Sequence, residues 1–178
     1  MKYLFYLFTI IVLLGFNLGL FSSLQVGGQI PNLLLLLTIY FSLEKKNYDF
    51  FFVAFVSGVF LDFYSAGFFG AFTLAFLIFA FLIHLVVNNF IVLEINWKSL
   101  SLLLLGSLLV MNLILWVYGL IVFKLNWVPD YESLKIYMSK FFVSFAYNWL
   151  LLYPVYLLFG YLKNFIDNFT VRRRGIVS

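Results

Sequence analysis

The stretch SGVFLDFYSAGFFG, Ser57 to Gly70, places one aspartate and three glycines between two apolar runs, FFVAFV before it and AFTLAFLIFAFLIHLVV after it. Long apolar runs interrupted by a short Gly- and Ser-containing break read as two helices joined by a turn. What Asp62 costs inside such a segment depends on the solvent around it, and composition decides that. Of 178 residues, 65% are hydrophobic and 10% charged, with 25 Phe and 12 Tyr, against roughly 25% charged in an ordinary soluble domain. Runs long enough to cross a hydrocarbon core of about 30 Å recur along nearly the whole chain. No segment is left to fold as a separate soluble domain. The reading is therefore all-α: a polytopic membrane protein, a compact bundle of six transmembrane helices occupying residues 1–165, followed by a basic cytoplasmic tail, 166–178.

The spans fall at Tyr3 to Leu24, Pro31 to Leu43, Tyr48 to Tyr64, Phe68 to Val87, Leu100 to Phe123 and Phe141 to Leu162. The second is short, so it needs Gly27 to Ile30 as an extra turn, a tilt, or burial among its neighbours. Pro31 suits its first turn. The first run follows Lys2 and is longer than a signal-peptide core, and LFSSLQVGG lacks a small-x-small cleavage site, so an uncleaved anchor is expected. Short cytoplasmic loops retain Lys and Arg. With the N-terminus inside, Lys2, Lys45, Lys46, Lys98, Lys163, Arg172, Arg173 and Arg174 lie on the cytoplasmic side and Lys124, Lys135 and Lys140 outside. Eight against three favours six spans with both termini inside.

Two connections are longer. Asn88 to Ser99 offers Phe90, Ile91, Leu93, Ile95 and Trp97 to the membrane interface. In Lys124 to Lys140, Leu134, Tyr137, Met138 and Phe141 recur at helical spacing, which predicts a short interfacial helix leading into the last span. Cysteine is absent, which removes disulfides and thiolate metal sites.

Depth governs the meaning of Asp62, because a carboxylate is most costly at the bilayer centre. Thirteen residues beyond Asp49 at 1.5 Å each place it about 20 Å across, within the outer leaflet. Two readings are open. In one, Asp62 bonds the backbone of the turn while Ser65 N-caps the helix that begins near Gly67. In the other it faces the bundle interior, partnered by Asn148 or Lys140, and Gly58, Gly67, Gly70, Ser57 and Ala66 let backbones approach to form a packed polar corner. Asn112, near mid-span, calls for an interhelical hydrogen bond or a ligand contact. His84, alone of its kind, cannot build a metal site and is expected to be solvated near the inner interface. Gly15 and Gly19 fit a small-x-x-x-small helix-pairing pattern. Arg172 to Arg174 attract anionic lipid or an acidic partner. No phosphate loop, HExxH or Ser-His-Asp set is present, so neither enzyme chemistry, a cofactor nor a metal is expected, and no nucleic-acid partner.

The order of residues adds a resemblance. IPNLLLLLTIYFSLEKKNYDFFFVAFVSGVFLDFYSAGFFGAFTLAF, Ile30 to Phe76, resembles the rod shape-determining protein MreD family: a Pro followed by Asp or Asn opening a leucine-rich helix, a short basic turn, then a Gly-containing helix ending in Asp, with Ser and Gly beyond. Pro31, Asn32, Lys45, Lys46, Gly58, Asp62, Ser65, Gly67 and Gly70 match that order over roughly a quarter of the chain; span count and Pro154 agree more loosely. Asn32 stands where many members carry Asp. The resemblance implies a non-enzymatic membrane scaffold of the bacterial cell-elongation machinery, coupling wall synthesis to MreC, to MreB and to the elongation glycosyltransferase and transpeptidase. Lys45, Lys46 and Arg172 to Arg174 would then face cytoplasmic partners or membrane lipids. The competing expectation is the substrate-binding (S) subunit of an energy-coupling-factor vitamin transporter, also a compact bundle of about six helices. Those subunits often dock through an Ala-x-x-x-Ala face on the first helix, and here that helix contains no alanine.

Overall fold

The computed structural model describes residues 2–25, 28–43, 48–65, 69–90, 96–125 and 134–174. Six α-helices occupy them: α1 Lys2–Leu18, α2 Leu33–Ser42, α3 Asp49–Tyr64, α4 Ala71–Phe90, α5 Trp97–Lys124 and α6 Leu134–Arg174, with one 3₁₀ turn at Ser22–Leu24. Packing contacts alternate the helix directions. The start of α1 meets the start of α3 through Lys2 and Asp49. The end of α1 meets the start of α2, where Asn17 accepts from the Leu33 N–H. Asn32 and Tyr40, at the two ends of α2, meet Asn148 and Phe159 in order along α6, so α2 and α6 run the same way.

Local chemistry explains the boundaries. α1 stops at Leu18, short of the expected Leu24, and Gly19 begins the turn. α2 is only ten residues long, and nine of them are buried among α1, α3, α4 and α6. Of the three ways to accommodate a short second helix, burial is the one observed. Its hydroxyls bond back along their own helix, Thr38 to the Leu34 carbonyl and Ser42 to the Thr38 carbonyl, so burial strands no polar group there. Pro31 lies one residue before the N-cap, not in the first turn; Asn32 is the cap and its side chain accepts from the Leu35 N–H at 3.0 Å. α5 starts earlier than expected because Asn96 and Ser99 form a capping box that brings Trp97 into the helix. Ile91, Leu93 and Ile95 lie outside the described residues.

The interfacial helix expected before the last span is instead the first part of α6, which runs without a break for 41 residues and carries Pro154 inside it. The helix also continues through Arg174, so most of the tail 166–178 extends α6. Among the described residues, three helices are long and apolar enough to cross a membrane: Ala71–Asn88, Trp97–Lys124 and Lys140–Asn164. Phe8, Phe63, Leu102, Phe142 and Leu150 are among many large apolar side chains left exposed. Such a belt is far larger than a soluble monomer tolerates, and hydrocarbon is the solvent that suits it.

Candidate functional site

Gly58 and Asp62 stand four residues apart on one face of α3 and both point at the start of α4. A Cβ on Gly58 would lie 2.4 Å from the Thr73 Cα, so the two backbones touch there. One turn further, the Asp62 carboxylate accepts from the N–H groups of Phe72 at 2.8 Å and Thr73 at 3.0 Å, and from the Thr73 hydroxyl. These amides belong to the first turn of α4 and have no partner within their own helix. The capping position itself is Gly70, whose carbonyl accepts the Leu74 N–H at 2.9 Å and whose φ of 102° lies in the left-handed region. Gly70 has no side chain to offer, so Asp62 caps α4 from the neighbouring helix, its negative charge at the positive end of the helix dipole.

This arrangement combines and corrects the two expectations for Asp62. Its side chain does bond the backbone of the following segment, and it is buried, 3% exposed. Neither Asn148 nor Lys140 is its partner. Ser65 does not cap α4; it closes α3, donating its N–H to Leu61 and its hydroxyl to the Asp62 carbonyl. Gly67 and Ala66 lie outside the described residues. Thr73 carries no sequence signal for this role, since a helix start is marked by Ser, Thr, Asp or Asn at the cap itself and here the cap is Gly70.

Asn148 belongs to a second junction at the same end. It is fully buried; its Oδ1 accepts the Asn32 N–H at 2.8 Å and its Nδ2 donates to the Ser144 carbonyl at 2.8 Å. Asn17, buried on α1, accepts from the Leu33 N–H at 3.4 Å. Two asparagines from two different helices thereby hold the start of α2. Asn17 gives little signal in the sequence, because the flanking glycines of GFNLG dominate that pattern. Close by, a cavity of about 340 Å³ opens among α1, the 28–32 segment, α3, α5 and α6. Asn17, Asn32, Asn112, Lys140 and Ser144 line its polar side, and Leu14, Leu61, Phe72, Leu108 and Met111 its apolar side. Among the described residues Asn112 makes no interhelical bond; its Nδ2 donates to the Leu108 carbonyl in its own helix, and the residue lies on the cavity wall.

At the opposite end Asp49 pairs with Lys2 and accepts from the Tyr6 hydroxyl at 3.1 Å, tying α1 to α3. His84 is buried, not solvated: its ring stacks on Phe50 with centroids 4.3 Å apart, and Nε2 lies 2.8 Å from Asn88 Nδ2. Gly15 and Gly19 border a shallow groove on the outer face of α1 with Val12, Phe16 and Leu20. Lys45 and Lys46 lie outside the described residues, and Arg172 to Arg174 end α6. Comparison with protein-family models, with characterised proteins and with solved structures yields no match for the chain.

Proposed function

We propose that the chain is a multi-pass scaffold of the bacterial inner membrane that acts by positioning partners, in the manner of the MreD family it resembles over Ile30 to Phe76. The observation that carries this reading is where the acids go. Both carboxylates whose side chains are described, Asp49 and Asp62, are spent on helix junctions. A proton or ion carrier keeps ionisable groups available along a path near mid-membrane, and a catalytic site keeps them aimed at a substrate. Here they bind one helix to the next. A bundle fixed in that way can offer constant lipid-facing grooves to the membrane segments of other proteins.

In this reading the six helices cross the membrane in alternation, with both termini in the cytoplasm. The partners are MreC, the MreB filament system and the membrane glycosyltransferase and transpeptidase that extend the wall. No reaction is assigned to the chain itself. The test is retrieval of MreC with the tagged chain in mild detergent, together with cell width on depletion. Recovery of MreC and rounding of the cells are the expected results. The competing reading is the vitamin-transporter S subunit, and the cavity beside Asn17 is the observation that favours it. Retrieval of a coupling subunit with its ATPases, and tight vitamin uptake, would replace the scaffold by that reading.

A further inference from the structure

We propose that the cavity between α1, α3, α5 and α6 is a binding site for a small amphiphile whose head is neutral and both donates and accepts hydrogen bonds, an amide or a hydroxyl on an apolar body. Its volume of about 340 Å³ lies within the span of roughly 300–1,000 Å³ typical of small-molecule sites, and its mostly apolar walls with a few polar groups follow the usual pattern.

The polar groups define the head. Asn17 is 4% exposed. Its Oδ1 is occupied by the Leu33 N–H, an assignment fixed because a donor faces it. Its Nδ2 has no hydrogen-bond partner among the described residues while the side chain lines the cavity. That donor borders the cavity, so an occupant that accepts from it gains a hydrogen bond there. Asn112, on another wall, is the converse case: its Nδ2 is taken by Leu108 and its Oδ1 is left for the cavity. One helix thus supplies a donor and another an acceptor to the same space.

Charge selects against ions. Among the described lining residues Lys140 is the one charged side chain and no carboxylate is present, so a cation finds no counter-charge. The Asn17 carboxamide donor on the wall serves a neutral head as well as an anionic one, and the Asn112 oxygen on another wall disfavours an anion. The apolar body packs on Leu14, Leu108 and Met111.

The experiment uses the full chain in phosphatidylcholine nanodiscs, with thermal unfolding followed against hexanamide, hexanoate and hexylamine. Hexanamide is expected to raise the midpoint saturably and more than either charged analogue. Asn17→Leu and Asn112→Leu are expected to weaken that response by about tenfold or more, while Ser101→Ala, outside the cavity, leaves it unchanged. A shift that grows without saturation, is equal in wild type and variants, or is largest for hexanoate or hexylamine overturns the proposal, as does no shift with any probe. Should Asn17→Leu fail to fold, Asn112→Leu and the ranking of heads on the wild-type chain still decide. Native mass spectrometry of protein taken from membranes separates the sources: a retained adduct marks a membrane lipid, its absence a soluble amphiphile. The result is independent of MreC retrieval, so this site and the scaffold reading fail separately.

Discussion

At Asp62 one carboxylate accepts from two first-turn amides and one hydroxyl of α4, and replacement by alanine strands both amides in a buried corner. Each buried donor left unpaired costs roughly 1–3 kcal/mol, so Asp62→Ala is expected to destabilise the bundle by about 2–5 kcal/mol in a detergent unfolding titration. Asn148→Ala strands one backbone donor, that of Asn32, and is expected to cost less. Equal midpoints for Asp62→Ala and wild type would remove the capping role assigned here. Gly58 sets the distance that makes the cap possible. Gly58→Ala drives a methyl into the Thr73 backbone, an overpacking cost of about 1–3 kcal/mol. Gly106→Ala is the control, since nothing lies within 4 Å of the added atom and alanine gains about 0.5–1 kcal/mol of helix preference. A Gly58→Ala variant as stable as Gly106→Ala would show that α3 and α4 can separate without penalty.

Among the helices, α2 shows what an apolar sequence can and cannot announce. Its leucines read like those of α5, yet Leu34 is fully buried while Leu102 is 71% exposed. Leu34→Ala is expected to cost about 2–5 kcal/mol as a core truncation, and Leu102→Ala, on a lipid-facing position, less than about 1 kcal/mol; comparable losses would mean α2 is not the central element. That difference was not legible from sequence, because hydrocarbon and protein core are equally apolar and no polar face marks the outside. The existence of six helices was legible, because each apolar run is bounded by glycine, proline, asparagine or charge. The shortness of α2 pointed to burial as one option, and Gly58 with Asp62 pointed to a packed corner. What failed were pairings across space. Depth along the helices offers Asn148 or Lys140 to Asp62 in one of its two readings, whereas its side-chain partner Thr73 becomes adjacent because Gly58 admits the α4 backbone. A lone histidine near the interface reads as solvated, because nothing in the sequence places Phe50 over its ring.

Over the whole molecule, the alternation of helix directions and the placement of charge constrain each other. Lys2 and Asp49 share one end, and Asn17, Asn32, Asp62 and Lys140 lie toward the other. At 1.5 Å per residue, the 41 residues of α6 extend about 62 Å, twice a hydrocarbon core. The stretch Lys140–Asn164 is long and apolar enough to cross, and in the proposed topology it would leave Leu134 to Ser139 on one side and the helix up to Arg172–Arg174 on the other. Basic residues at a helix C-terminus complement its dipole and attract anionic headgroups, and the proposed topology puts the arginine end on the same side as Lys2. Because the natural chain has no cysteine, single cysteines test this directly. Cysteine at Lys2 and at Ser178 is expected to react with an impermeant maleimide only after the cells are permeabilised, and cysteine at Gln29, in the segment between α1 and α2, in intact cells. Reaction of Lys2→Cys and Ser178→Cys under opposite conditions would mean an odd number of crossings, and the alternation of α1 to α6 would then not be a passage of each helix through the bilayer.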